Sequence, residues 1–191
     1  MAKKMKSKPK AKARPKAKAK ARPKAKAKAK ARPKKVQPIP AGRESVTPYL
    51  CVSGGAAAID WYTKAFGAKE VDRMAGDDGK VMHAEMLIGK ARIMLADEFP
   101  EMGFYSPRHY GGAPVNLLIY FNDVDEVFAR AIAEGATEKR PVETQFYGDR
   151  TGTLVDPFGH VWSLATRLEN LTNAEIEKRA AATFGGGDGA C

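Results

Sequence analysis

The sequence has few cysteines and no long apolar segment. Of its 191 residues only two are cysteines, Cys51 and Cys191, which fit neither a disulfide framework nor a spaced zinc motif. No apolar run approaches the ~18 residues of a membrane-spanning helix, and the charged N-terminus lacks the apolar segment of a signal peptide. We therefore expect a soluble, cytoplasmic protein.

Acidic residues are missing from the first 35 positions. This segment contains fifteen lysines and three arginines, whereas the rest of the chain has fifteen basic and 22 acidic residues. Its Lys-Ala pairs are interrupted by Pro15, Pro23 and Pro33, and like-charge repulsion also works against a continuous helix. Because the segment has no apolar face to bury, residues 1–35 are predicted to be a disordered tail.

A flexible basic tail can neutralise phosphates without reading a base sequence. The alternative is a solubilising tail with incidental affinity for polyanions at low salt, and the sequence favours neither interpretation. Aromatic residues are absent from the tail, so stacking on single-stranded bases is not supported. If the tail binds nucleic acid, the protein would be nucleoid-associated, and the contacts would come from basic residues such as Lys12, Arg14, Lys20, Arg22, Lys30 and Arg32.

Beyond a linker at residues 36–45, one order of elements occurs twice. VTPYLCV alternates as a strand, AAAIDWYTKAFG has helical spacing and ends at a glycine, and EVDRM, VMHAEMLI and ARIMLAD have the character of strands. The order recurs in VNLLIYF, a helix at 124–134, and the strands TEKRPVETQF, GDRTGTLV and HVWSLAT. The sequence thus predicts an α+β fold of two βαβββ modules, at about 46–98 and 113–167.

The end of the chain carries one more start signal. Thr172 and Glu175 form a capping box, which predicts a helix over residues 173–184. Ile176, Ala180 and Phe184 lie on one side of this helix and can pack back on the domain. Residues 185–191 are expected to be a flexible end.

The paired βαβββ order, with AAAIDWYTKAFGAKE and YGDRTGTLVDPFGHVWSLAT, resembles the vicinal oxygen chelate superfamily. This superfamily contains glyoxalases, bleomycin-resistance proteins and extradiol dioxygenases, and the resemblance is greatest to its PhnB-like branch. It covers residues 46–184. It implies a curved mixed sheet around a cleft, a small-molecule ligand, and a homodimer that shares sheets.

Metal-dependent members of the superfamily take His or Glu ligands from the first and last strands of each module. The resemblance places these four ligand positions at Thr47, Met94, Asn116 and Ser163, none of which is an imidazole or a carboxylate. Divalent-metal sites need several convergent nitrogen or oxygen ligands, so these four side chains are poor substitutes. We therefore expect no divalent metal and no other cofactor.

Strand alternation selects the residues that face the cleft. A two-residue turn at Gly89-Lys90 pairs Glu85 with Met94, which places His83, Glu85 and Arg92 on the cleft side and an apolar set that includes Met82 on the other. A turn over residues 156–159 pairs Gly152 with Ser163 and adds Arg150 to the cleft. The predicted ligand-binding residues are Tyr49, His83, Glu85, Arg92, Met94, Asn116, Tyr120, Arg150 and Ser163.

Several roles remain open for these residues. His83 and Glu85 could recognise a ligand, form structural hydrogen bonds, or act as a catalytic base and its orienting group or as part of an unusual metal site. Arg92 and Arg150 suit a carboxylate, a phosphate or a polar aromatic ligand, or else salt bridges to Glu85 or Asp149. His160 is expected to be a structural residue near a turn, and His109 to lie in a loop that covers the cleft or merely connects the modules.

Three functions are therefore compatible with the sequence. The first is a metal-free protein that binds a small organic ligand in a sheet-lined cleft. The second is a lyase or dioxygenase-like enzyme that uses His83 and Glu85. The third is a nucleic-acid-associated protein anchored by its tail.

Overall fold

The computed structural model describes residues 36–40, 42–43 and 46–185. The predicted basic tail and residues 186–191 lie outside these ranges. The chain divides into two units, Met1–Pro38 and Ile39–Cys191. All described helices and strands belong to the second unit: β1 Tyr49–Val52, α1 Gly55–Phe66, β2 Lys69–Ala75, β3 Val81–Ile88, β4 Ala91–Asp97, a 3-10 helix Pro100–Met102, β5 Asn116–Tyr120, α2 Val124–Ala133, β6 Thr137–Thr144, β7 Asp149–Val155, β8 Val161–Arg167 and α3 Asn173–Phe184.

The strands form two four-stranded mixed sheets, one in each module. Their orders are β1-β4-β3-β2 and β5-β8-β7-β6. In each sheet the first strand of the module pairs parallel with the last one, and the other neighbours are antiparallel. The predicted α+β fold of two βαβββ modules is confirmed, and β1 and β5 each lie at the edge of their sheet.

The first module has the predicted register at its central hairpin. Gly89 has a positive φ of 59°, and Glu85 pairs with Met94. The expectation for Met82 is wrong, because its side chain is 49% exposed. The cause is a register shift between β2 and β3, in which Met74 pairs with His83 but Ala75 pairs with Val81, so Met82 is an extra residue.

In the second module the register differs from the prediction by one residue. Ser163 pairs with Thr153, and Arg150 pairs with Thr166. The turn contains three residues rather than four, since the backbone N–H of Asp156 donates to His160 O at 2.9 Å across it. Gly159, at φ 95°, supplies the left-handed residue that such a turn requires.

The core lies on the face of both sheets that carries α1 and α2, and the two helices contact each other. Two hydrogen bonds join their C-terminal ends reciprocally. Trp61 Nε1 donates to Glu134 O at 2.9 Å, and Arg130 Nε donates to Ala65 O at 3.0 Å. Because each bond uses a carbonyl that the helix itself leaves unpaired, the modules are joined without leaving buried acceptors unsatisfied.

Asp156 is a second link between the modules. Its carboxylate is 3% exposed and accepts from Tyr62 Oη at 2.6 Å and from Trp162 Nε1 at 2.9 Å. It also accepts from the backbone N–H groups of Phe158 and His160, each at 2.9 Å. Burial and the neighbouring Asp156 carboxylate raise the pKa of Tyr62 well above its ordinary value, so the phenol stays protonated and donates.

The helix boundaries follow their predicted signals closely. Asp123 accepts from the backbone N–H of Glu126 at the start of α2, and Thr172 and Glu175 form the full capping box of α3. None of the residues of α3 is fully buried, and Phe184 meets the ring edge of Phe146 at 5.4 Å between centroids. In the described part of the chain, none of the helices is long and apolar enough to cross a membrane.

Candidate functional site

Each sheet has an open face, which is the face turned away from α1 and α2. On the first sheet this face carries a charged cluster centred on Glu85. Although Glu85 is on the open face it is only 6% exposed, because Arg43 and Arg92 each donate to one oxygen of its carboxylate. The hydrogen bond from Arg43 is the main cause that lowers the pKa of Glu85, so the carboxylate is ionised at neutral pH.

His83 extends the cluster towards β1. Its Nε2 lies 3.5 Å from Glu85 Oε1, and its Nδ1 lies 3.2 Å from Tyr49 Oη. The Tyr49 and His83 rings meet edge to face at 5.6 Å. The structure therefore brings together four of the predicted residues, Tyr49, His83, Glu85 and Arg92, and β3–β4 pairing sets Met94 beside Glu85.

The open face of the second sheet is neutral where it lies next to β5. Asn116 Nδ2 donates to Ser163 Oγ at 2.8 Å, and Thr153 Oγ1 lies 3.1 Å from the same oxygen. These three side chains line a depression of about 400 Å³ that also includes Thr151 and Gln145. The depression thus offers hydroxyl and amide groups to a ligand, and Arg140 and Glu143 also line it.

Tyr120 belongs to a separate group at the far end of the same face. Its hydroxyl donates to Asp149 Oδ2 at 2.5 Å, and Arg167 Nε donates to Asp149 Oδ1 at 3.1 Å. The hydrogen bond to Asp149 raises the pKa of Tyr120. Tyr120 is therefore held in place by a carboxylate, while about half of its surface stays exposed.

Arg150 does not lie on the open face. The one-residue difference in register turns it towards α2, where it forms two bonds with Asp125 at 2.7 and 2.6 Å. The side chain is a surface ion pair, and its predicted position in the cleft is wrong. Gly159 fits the three-residue turn that causes this change, but a glycine at this position also fits the four-residue turn that was predicted.

The four positions at which metal-dependent relatives carry ligands do not present a fitting donor set. Asn116 and Ser163 bond to each other, Met94 carries a thioether, and Thr47 carries a hydroxyl. In the described ranges no group of three or more His, Cys, Asp or Glu side chains is arranged to hold a metal ion. One thioether, one amide and two hydroxyls include neither an imidazole nor a carboxylate, which are the ligands that divalent metals take from proteins at sites of this kind.

The other notable side chains of the sequence have structural contacts. His160 Nε2 lies 3.0 Å from Cys51 O, which links the last hairpin to β1. His109 stacks on Tyr105 in the loop between the modules, with 3.9 Å between ring centroids. Burial raises the pKa of the Cys51 thiol to about 11, with smaller contributions from Glu98 and Asp97, so it is protonated at neutral pH.

Several residues of these clusters were not found from the sequence. Arg43 lies in the predicted linker, and only the fold brings it to Glu85. Asp97, at the end of β4, accepts from the backbone N–H groups of Gly54 and Gly55 and so caps α1, which has no capping side chain of its own.

Comparison with known proteins identifies the family. The sequence model of the Glyoxalase/Bleomycin resistance protein/Dioxygenase superfamily matches residues 45–164. The chain belongs to this superfamily. An uncharacterized protein of Mycobacterium bovis is 41% identical over 148 residues, which are 76% of this chain and 95% of that protein. An uncharacterized protein of Mycobacterium tuberculosis has the same identity over 85% of its own length.

Several solved structures share the fold. TioX from Micromonospora has a TM-score of 0.52 at 23% identity, over 67% of this chain and 99% of its own. FosX from Listeria monocytogenes, a fosfomycin resistance protein complexed with Mn(II) and sulfate, has a TM-score of 0.52 at 19% identity, over 71% and 96%. A PhnB protein from Bacillus cereus gives 0.51 at 20% identity, over 64% and 99%. At these identities the comparison shows the fold alone.

Proposed function

We propose that this superfamily member binds a small organic molecule at the open faces of its sheets and does so without a metal ion. The single observation that carries the proposal is the chemistry at the four ligand positions. They hold Thr47, Met94, Asn116 and Ser163, and the second pair is joined by a hydrogen bond. Around them lie groups that recognise polar ligands: Tyr49, His83, Glu85, Arg92 and Tyr120.

The test is a fragment library measured by ligand-observed NMR before and after exhaustive chelation. The proposal predicts hits that persist after chelation and that lose affinity in Glu85→Gln or Ser163→Ala. Asp125→Asn is a matched control, because Asp125 also pairs with an arginine but lies at the surface in the first turn of α2. Hits that disappear on chelation and return with a divalent metal would contradict the proposal.

Catalysis by His83 and Glu85 is the competing proposal. The favourable observation is their separation of 3.5 Å, which is close enough for one group to orient the other. Against it, two arginines bond to the Glu85 carboxylate and keep its pKa low, which makes it a weak base. A turnover screen in which His83→Ala abolishes product formation without unfolding the protein would favour the enzyme.

A second role is proposed for the basic tail, which would attach the protein to nucleic acid in the cytoplasm. It is supported by eighteen basic residues and no acid in positions 1–35. Contacts with 6–10 phosphates should weaken roughly 10³–10⁵-fold between 50 and 200 mM salt. A chain that begins at Val36 should lose salt-sensitive binding to duplex DNA, and retention of this binding would exclude the tail as its cause.

A homodimer is proposed from the superfamily resemblance and from apolar groups on the open faces. Leu118 and Tyr120 are 59% and 51% exposed there, which is unusual for large side chains on adjacent positions of one strand face. Light scattering after size exclusion should give twice the chain mass of 20.7 kDa. A monomer at micromolar concentration would contradict the proposal.

A further inference from the structure

The edge strands β1 and β5 border a seam next to the charged cluster of Glu85. Two cavities lie along it, of about 210 and 860 Å³. Both are lined by Pro48 and Leu117, so the two cavities adjoin at these residues, and together they are called the slot. The larger cavity by itself has the size of a small-molecule site.

The smaller end of the slot is cationic. It is lined by Lys90 and Arg92 beside apolar residues such as Ile119, and none of its described lining residues is acidic. Arg92 gives one nitrogen of its guanidinium to Glu85. Lys90, in the turn between β3 and β4, has no acidic partner among the ion pairs of the described residues. This end therefore complements a negative group.

Arg92 also carries an unused donor. Its Nε is buried and has no hydrogen-bond partner within the described part of the chain. A buried donor without an acceptor destabilises a protein. An anionic group bound beside Arg92 would supply this acceptor once the side chain turns towards the slot.

The larger end of the slot is uncharged and rich in rings. Tyr49 and Phe104 lie 5.7 Å apart between centroids, and Tyr105 and Tyr110 form the wall contributed by the loop between the modules. No Asp, Glu, Lys or Arg occurs among the described residues that line it. Burial raises the pKa of the Cys51 thiol at this end to about 11, so the thiol is uncharged at neutral pH. Such a surface favours a flat aromatic group.

We propose that the seam between β1 and β5 binds an amphipathic aromatic monoanion. Its negative group lies at Lys90 and Arg92, and its ring system lies against the exposed sides of Tyr49, Phe104 and Tyr105. Tyr49 and Arg92 belong both to the seam and to the open-face cluster. The inference therefore rests on the proposed small-molecule function, and it adds the chemical class of the ligand.

Two dyes with the same N-phenylnaphthylamine skeleton test the proposal. 8-Anilinonaphthalene-1-sulfonate carries one negative charge, and N-phenyl-1-naphthylamine carries none. Fluorescence titrations use the full chain in 150 mM salt, where the screening length of ~8 Å weakens contacts with the basic tail. The anionic dye should bind more tightly than the neutral one, with a stoichiometry of one per chain.

Variants then separate the two ends of the slot. Lys90→Gln should weaken the anionic dye about 2- to 5-fold, and Lys90→Gln with Arg92→Gln about 10- to 100-fold, without changing the neutral dye. Lys64→Gln, an exposed lysine on α1, is the matched charge control and should change neither dye. Ala113→Trp, which fills the apolar end, should weaken both dyes, whereas Ala182→Trp on α3 should weaken neither.

Each other outcome overturns the inference in a distinct way. Equal affinity for the two dyes, or no effect of the Lys90 and Arg92 substitutions, would refute the anionic class and leave ligand binding as such intact. Dye binding that is insensitive to Ala113→Trp, or its complete absence, would refute the seam as a site. Fragment hits that depend on Ser163 would still support the open-face function in that case.

Discussion

The regions around Asp156 and Glu85 both contain a buried carboxylate, but the carboxylates have different partners. Asp156 lies between the modules and accepts from neutral donors, namely one phenol, one indole and two backbone N–H groups. Glu85 lies on an open sheet face and is held by two guanidinium groups beside an imidazole. The first arrangement satisfies a carboxylate completely and fixes the fold, whereas the second retains charged side chains that a ligand can recruit.

The largest expected loss of stability comes from a substitution in the Asp156 region. Asp156→Ala removes the acceptor of four donors, so we expect the free energy of unfolding to fall by about 3–5 kcal/mol. Urea unfolding followed by tryptophan fluorescence measures it, since Trp162 donates to Asp156. Asp125→Ala at the surface should have almost no effect. Equal losses for the two variants would show that Asp156 is not a structural link.

A smaller loss of stability is expected for Glu85→Gln, of about 1–2 kcal/mol, because the amide still accepts one hydrogen bond and both arginines keep access to water. The same substitution should abolish binding of fragments that contact the first sheet. Unfolding curves and NMR titrations on one sample measure both effects. A variant with full binding would remove Glu85 from the ligand site.

The pH dependence of the free energy of unfolding gives a further test of Glu85. Its folded pKa lies below the ordinary value of roughly 4.3, so the unfolded chain binds this proton more tightly than the folded one. The stability that ionised Glu85 contributes is therefore complete above that value and is lost as the pH falls through the folded pKa. Denaturant unfolding should show the difference between wild type and Glu85→Gln shrinking below about pH 4. A difference that stays constant down to about pH 3 would contradict the lowered pKa.

The smallest loss of stability is expected from a substitution on the open face of the second sheet. Ser163→Ala removes one acceptor for Asn116, which is exposed and can turn to water, so stability should fall by only about 0.5–1.5 kcal/mol. Ligand affinity should change more than stability if this face recognises the ligand. Thermal unfolding measures the stability of Ser163→Ala, and the fragment titration measures its ligand affinity. If only the stability changes, Ser163 has a structural role.

Much of the fold could be predicted because its signals are local. Alternation along β3 and β4 and the two-residue turn at Gly89 were sufficient for the pairing of Glu85 with Met94. The capping box at Thr172 correctly located the start of α3. The predicted register of β7 and β8 was wrong because the turn length depends on hydrogen bonds that the Asp156 side chain accepts. These bonds become visible only in three dimensions.

The site was predictable only in part for the same reason. Alternation assigns a face to Tyr49, His83, Glu85 and Arg92, but it gives no partner from a distant segment such as Arg43. It also cannot indicate the seam, because the slot is formed by two edge strands and a loop from different parts of the chain. The residue types at the four ligand positions, in contrast, depend only on where the family resemblance places them.

Elemental mass spectrometry of protein purified without added metal or a metal-binding tag tests the central claim most directly. The account predicts far less than one transition-metal ion per chain, together with ligand binding by that same preparation after chelation. One firmly bound ion per chain, whose removal abolishes ligand binding, would contradict it.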